Sequence, residues 1–240
     1  MNIIKNTLTI KNVNPKNDLV TLKFASPFFK FCKTVYKTLT PKYAFNVSTP
    51  TEPCVYLCRH LNLHGALTIN KCSNFDFQTF ALHVFTNRKT CFNQFYNYTF
   101  SKRCKMSKFF AFLPSLIASL IVPLICSPKQ TIPVYRNDAE AIKTIRASLD
   151  ALKNGRNLLI FPNVDYTNVA NSEKHVIYDG FLCLEKLYYK TTGRHLKFIP
   201  LTIDENSKTV NEKSAISFNG SIPFNEEMSI VSKKIADAIF

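Results

Sequence analysis

Residues 54–65 read CVYLCRHLNLHG: five apolar residues, then Arg59 and His60, then a polar, turn-like segment closing on Gly65. An apolar run of this kind reads as an alternating strand. Because the run stops on a histidine, it sets an imidazole at a carboxyl edge, where α/β folds build their active sites. Three later segments follow in order: IPVYR at 132–136, NLLIFPNVDYT at 157–167 and LKFIPLTI at 196–203.

Between these strand signals lie helix signals. Ile142, Ile145, Leu149 and Leu152 share one helical face, with Asn137 or Asp138 as N-cap and Gly155 as the stop. Residues 179–192 give a second amphipathic helix ended by Gly193, and NLLIF and 196–203 are strands. Strands alternating with helices predict an α/β fold: one domain, with a mixed, mostly parallel sheet flanked by helices.

At 240 residues the chain is long enough for a sizeable core without disulfides or metals. Eight cysteines show no C-x-x-C spacing, which argues against a zinc ribbon or redox motif and for small buried side chains in a reducing cytosol. The N-terminus mixes Lys, Asn and Thr with its isoleucines and leucines, unlike a cleaved secretory signal. Residues 1–50, with four prolines and the run FASPFFKFCKTVYK, read as a peripheral basic and aromatic extension, and 51–240 as the domain. The extension's phenylalanines fit either an interfacial element or the rim of the core.

The net charge is +15, and residues 1–108 hold 16 of the basic residues against 3 acidic ones. Such a field attracts phosphate-bearing partners, either an anionic membrane surface or nucleic acid, unless it is only a solvated basic face. No nucleic-acid-binding motif interleaves the basic residues, so nucleic acid is the weaker expectation. The run 109–126, FFAFLPSLIASLIVPLIC, is uncharged and at the lower length limit for a membrane span, but Pro114 and Pro123 interrupt it. A buried or interfacial helix is the expectation there.

The order and content of the four blocks resemble the lysophospholipid and glycerol-phosphate acyltransferase superfamily. Its blocks are a His-x-x-x-x-Asp motif, an apolar strand ending in arginine, a Phe-Pro-Glu-Gly block and a Val-Pro-containing strand. Here they correspond to His60–Gly65, Ile132–Arg136, Phe161–Thr167 and Ile199–Leu201. The likeness spans about residues 50–205 and is closest to a divergent bacterial branch with Arg-His-x-Asn-x-x-Gly and Phe-Pro-x-x-x-Tyr-Thr. The chain departs from the main pattern at Gly65, in the aspartate's place, and at Asn163 and Val164, in place of Glu-Gly.

The resemblance implies a glycerolphosphate-acyltransferase-like fold and transfer of a fatty acyl group to a hydroxyl of a glycerol-phosphate or lysophospholipid acceptor. The donor thioester, of CoA or acyl carrier protein, is a substrate, and no cofactor is needed. With the basic N-terminal part, the expectation is peripheral attachment at the cytoplasmic face of an anionic membrane. His60 is the general base, a role imidazole suits because it titrates near neutrality; a hydrogen-bonded structural histidine is the alternative for a single His. Asp165, which follows the strand NLLIF, is the candidate substitute for the carboxylate missing at Gly65, with a turn-forming aspartate after Pro162 as the alternative. Arg136, with Arg59, holds the phosphate, since a guanidinium donates two hydrogen bonds to phosphate oxygens. Asn163, Tyr166 and Thr167 shape the acceptor pocket, and Gly180 admits close approach of an acyl chain or phosphate. Cys58, His60 and His64 do not complete a zinc ligand set, so no metal is expected. The rival expectation is a catalytically silent, lipid-binding relative, motivated by Gly65.

Overall fold

The computed structural model describes residues 41–61, 64–126, 130–135, 138–163 and 176–240; the side chains of His64 and Asp138 are outside the description. The chain divides into two units, 1–40 and 41–240, and the described residues belong to the second. The expected N-terminal extension therefore lies mostly outside the described residues.

Seven strands form one sheet: β1 (Ala44–Asn46), β2 (Cys54–Cys58), β3 (Phe77–Leu82), β4 (Thr131–Val134), β5 (Asn157–Ile160), β6 (Lys197–Asp204) and β7 (Thr209–Glu212). The order is β1-β7-β6-β2-β5-β3-β4. All neighbours pair in parallel except β6 and β7, which form an antiparallel hairpin. The α/β class and the mixed, mostly parallel sheet thus agree with the sequence. The sheet begins earlier than residue 51, because β1 pairs with β7 and Ser48 Oγ donates to Glu212 Oε1 at 2.6 Å.

All five residues of β2 are buried, as the apolar run requires of a central strand. Their alternation sorts the core into two layers. Val55 and Leu57 join Leu158, Ile160 and Phe198 on one face, covered by α4 (Asp138–Lys153), α5 (Cys183–Thr192) and α6 (Phe224–Ile239). Cys54, Tyr56 and Cys58 join Phe77, Leu159 and Leu201 on the other, under Ile69 of α1 (His64–Cys72).

Two helix stops fall where glycine was read as punctuation. Gly155 has φ 76° and its N–H donates to Leu152 O, and Gly193 caps α5 with φ 70°. The face of α4 differs from the expected one. Ile145, Leu149 and Leu152 do meet the core, but Ile142 is 46% exposed, while Thr144 and Ser148 are buried. The polar pair is tolerated because each hydroxyl has a backbone partner: Thr144 Oγ1 donates to Pro133 O and accepts from Tyr135 N–H, both at 3.0 Å, and Ser148 Oγ donates to Thr144 O at 2.8 Å.

Between β3 and β4 the chain builds a helical hairpin: α2 (Arg88–Gln94), a π-helical segment Phe95–Arg103, and α3 (Lys108–Ile125). Asn87 caps α2, its side chain accepting from Lys89 N–H at 2.9 Å. The uncharged run 109–126 is thus a helix, and among the described residues it is the one helix long and apolar enough to cross a membrane.

Candidate functional site

After β2 the chain next builds β3, leaving between the two a gap that β5 later fills, and β6 then takes the other side of β2. The carboxyl ends of β2 and β5 therefore meet at a crossover of the topology, the position at which open α/β sheets hold ligands. His60 and Asn163 stand there, two residues beyond Cys58 and three beyond Ile160.

The two loops are fastened by one bond: Asn163 Oδ1 accepts from His60 N–H at 2.9 Å. At the other end of the strands Asn157 Oδ1 accepts from Cys54 N–H at 3.2 Å. Asparagines six apart thus clamp both ends of β2 to β5, at backbone groups also six apart. Because a backbone N–H needs an acceptor, the Asn163 amide must turn its oxygen to His60, leaving its NH2 as the group able to donate elsewhere. Asn163 is therefore a positioning residue for the backbone at His60.

Strand alternation continues into the loop. His60 falls on the α1 side, its ring edge-on to Phe161 with centroids 5.3 Å apart. Arg59 falls on the other side, its guanidinium 4.8 Å from the centre of the Phe240 ring, beside the C-terminus of α6. That site suits a cation, which is attracted both to the aromatic face and to the negative end of the helix dipole. Arg59 and His60 diverge across the sheet.

Burial lowers the His60 pKa from its ordinary value, and the charge of Arg103, at the end of the π-helical segment, lowers it further. The imidazole is consequently neutral at neutral pH, the protonation state a general base requires. Cys58 just before it is the opposite case: burial pushes its thiol up to about 12, so it is a core side chain and not a thiolate. Among the described residues no three His, Cys, Asp or Glu side chains gather as a metal ligand set.

Gly65 lies close against the backbone of Arg59 and His60. Leu61 has φ 44°, in the left-handed region, and Gly65 N–H donates back to His60 O at 3.2 Å. A Cβ on Gly65 would lie 2.4 Å from Arg59 O and 3.1 Å from His60 O. Glycine at the motif's aspartate position is thus demanded by the loop's own backbone, since no real Cβ approaches an oxygen that closely.

Of the other sequence candidates, Arg136, Asp165, Tyr166 and Thr167 lie outside the described residues. Gly180 opens a 3-10 turn, Gly180–Leu182, with open space where a side chain would be. The segment before it returns to the site: Asn163 and Ile177 form an antiparallel bridge, and Tyr178 N–H donates to Pro162 O at 2.7 Å. Sequence reasoning missed His83, just past the end of β3, whose ring stacks on Tyr135 at 4.7 Å and whose Nδ1 lies 3.2 Å from Val134 O. A histidine one residue beyond a strand was the available signal, but β3 itself was not read as a strand because Gln78, which is buried, interrupts its apolar pattern.

Compared with known proteins, the chain matches no family model, no curated protein and no solved structure.

Proposed function

We propose that this protein is an acyltransferase of the glycerolphosphate-acyltransferase type, moving a fatty acyl group from an acyl thioester to a hydroxyl of a glycerol-phosphate or lysophospholipid acceptor. The observation that carries this reading is His60: a neutral imidazole at the carboxyl edge of the central strand, in a loop fixed to β5 through Asn163. In the proposed step His60 takes the proton of the acceptor hydroxyl as its oxygen attacks the thioester carbonyl. The tetrahedral intermediate then expels the thiolate, which receives that proton from the imidazolium. Arg136 is the proposed phosphate clamp, ahead of Arg59, whose guanidinium is engaged by Phe240. Asp165, two residues after Asn163 in the sequence, is the proposed group that orients the imidazole. Tyr166, Thr167 and Gly180 border the acceptor on this reading.

A second reading has its own observation. The loop excludes any side chain at Gly65, where the resembled family carries its orienting carboxylate, and this favours a silent protein that binds lipid without turnover. Losing the orienting carboxylate of a catalytic histidine costs about four orders of magnitude in a serine protease. Thiol release from acyl-CoA and acyl carrier protein, measured with glycerol 3-phosphate and lysophosphatidate as acceptors, separates the two. Acceptor-dependent release supports transfer; lipid binding without release supports the silent reading.

A further inference from the structure

The hairpin between β3 and β4 does not bury what its sequence supplies. On α3 the buried face is a narrow line of small residues, Ala111, Ser115 and Ser119, whose serine hydroxyls donate within the helix at 2.6 and 2.8 Å. The outward face carries Phe109, Phe110, Phe112 and Leu113, which are 85%, 67%, 52% and 62% exposed, with Ile117 beyond them. This is the reverse of a soluble helix, which turns its large apolar residues to the core. Phe112 continues the apolar surface onto the π-helical segment, edge-on to Phe92 at 5.8 Å, and Phe92 in turn stacks on Tyr96 at 5.4 Å. A cleft of about 540 Å³ opens beside them with Lys108 in its wall.

Charge identifies what covers this face. Residues 83–126 contain six basic residues, Arg88, Lys89, Lys102, Arg103, Lys105 and Lys108, and no acidic one. Four of the six lie within the seven residues that lead into the exposed apolar face. Moreover, α3 opens on Lys108 with no acidic residue in its first turn, an arrangement that is unfavourable in water and favourable beside anionic headgroups. An apolar aromatic face edged by cations alone is complementary to an anionic bilayer interface.

Topology and charge argue against spanning. An 18-residue helix is about 27 Å long against a hydrocarbon core of about 30 Å. A crossing would put its two ends on opposite sides of the bilayer, yet it joins β3 and β4, which are hydrogen-bonded neighbours. The return would fall to α2 and the π-helical segment, which carry Arg88, Lys89, Lys102 and Arg103.

We propose that this hairpin is an interfacial anchor: α3 lies in the plane of an anionic membrane surface, with Phe109, Phe110 and Leu113 in the acyl boundary and Lys102, Lys105 and Lys108 at the lipid phosphates. The inference goes beyond acyl transfer and stands without it. It also gives the candidate site a location, since Arg103, at the end of the π-helical segment, is close enough for its charge to act on His60.

The chain has no tryptophan, so Phe109→Trp supplies a single fluorescent reporter on the exposed face. With the full-length chain, adding phosphatidylglycerol-containing vesicles shifts the indole emission to the blue, and brominated acyl chains quench it; phosphatidylcholine vesicles do neither. Lys102→Gln, Lys105→Gln and Lys108→Gln together lower partitioning onto the anionic vesicles about 100-fold. Phe109→Ser with Leu113→Ser lowers it at least 10-fold with no loss of thermal stability, since both side chains are exposed. Emission already blue before lipid is added, and unchanged by it, would mean that residues 1–40 or a second copy covers the face, and would overturn the proposal. Vesicle binding with an unshifted, unquenched indole would overturn it too. None of these readouts depends on turnover, so an inactive protein that docks leaves the anchor standing and removes only the acyltransferase reading.

Discussion

Adding a single methyl group at Gly65 tests whether the tight loop is what holds His60 in place. In Gly65→Ala the new Cβ meets Arg59 O at 2.4 Å, His60 O at 3.1 Å and the His60 carbonyl carbon at 3.3 Å. All three are backbone atoms, so no rotamer change relieves the contact, and the Arg59–His60 peptide has to retreat by nearly 1 Å to restore an ordinary van der Waals separation. That retreat pulls on the 2.9 Å bond from His60 N–H to Asn163 and on the 3.2 Å bond from Gly65 N–H to His60 O. Overpacking of this kind costs about 1–3 kcal/mol, and the helix preference of Ala over Gly in the first turn of α1 returns up to about 1. The net loss of stability is therefore about 0–3 kcal/mol, short of unfolding the domain. A 1 Å displacement of a catalytic base costs about 100-fold in rate. Urea unfolding and acceptor-dependent thioester cleavage on the same preparation should show this split: turnover down about 100-fold in a protein that stays folded and loses at most about 3 kcal/mol. Gly65→Asp should behave at least as badly, although it restores the carboxylate of the resembled motif. Native turnover in Gly65→Ala, or increased turnover in Gly65→Asp, would refute the account of the loop.

Asn163→Ala removes the acceptor for His60 N–H and should lower turnover far more than stability, whereas Asn163→Asp keeps an acceptor and should retain most of the activity; equal losses in the two would mean that the bond is not what matters. Because the His60 pKa is depressed, activity should hold through neutral pH and fall only below the ordinary imidazole value; Arg103→Gln removes one cause of the depression and should move that acid limb upward in a pH–rate profile. The same depression has a sign in stability: the unfolded chain takes up the proton first as pH falls, so the native protein should lose stability on acidification through the imidazole range, and His60→Asn should flatten that dependence in urea titrations. Away from the site, Glu185 is buried and accepts from Leu196 N–H at 2.7 Å and from His195 Nδ1 at 2.6 Å. Glu185→Ala should cost about 3 kcal/mol by urea unfolding, and His195→Ala, which leaves the Leu196 bond intact, about 1.

Where structure is set locally, it could be read in advance. The central strands β2, β5 and β6 were legible because burial on both faces leaves an unbroken apolar run, and Gly155 and Gly193 were legible as helix stops because a positive φ selects glycine. The face of α4 was misread at Ile142, since Thr144 and Ser148 look solvent-facing until Pro133 and Tyr135 supply partners for Thr144, and the Thr144 carbonyl one for Ser148. β3 and the short strands β1 and β7 were hidden for a similar reason: Gln78 interrupts the apolar pattern of β3, and strands of three and four residues carry little pattern. At the site, the type and place of His60 followed from the end of one apolar run. Its fastening did not, because the Asn163 bond joins residues 103 apart through a backbone N–H that any residue would present. The close approach behind Gly65 is likewise a property of the folded loop, invisible in the spacing that marked the position as a missing aspartate.

The most direct test of the central claim is acyl transfer itself, in native protein and in His60→Ala of unchanged thermal stability. With an acyl thioester and a panel of glycerol-phosphate and lysophospholipid acceptors, the account predicts acceptor-dependent thiol release by the native protein and its loss, by at least about 100-fold, in the variant. Equal turnover in the two proteins, or no acceptor-dependent release from the native protein by any donor and acceptor pair, would contradict it.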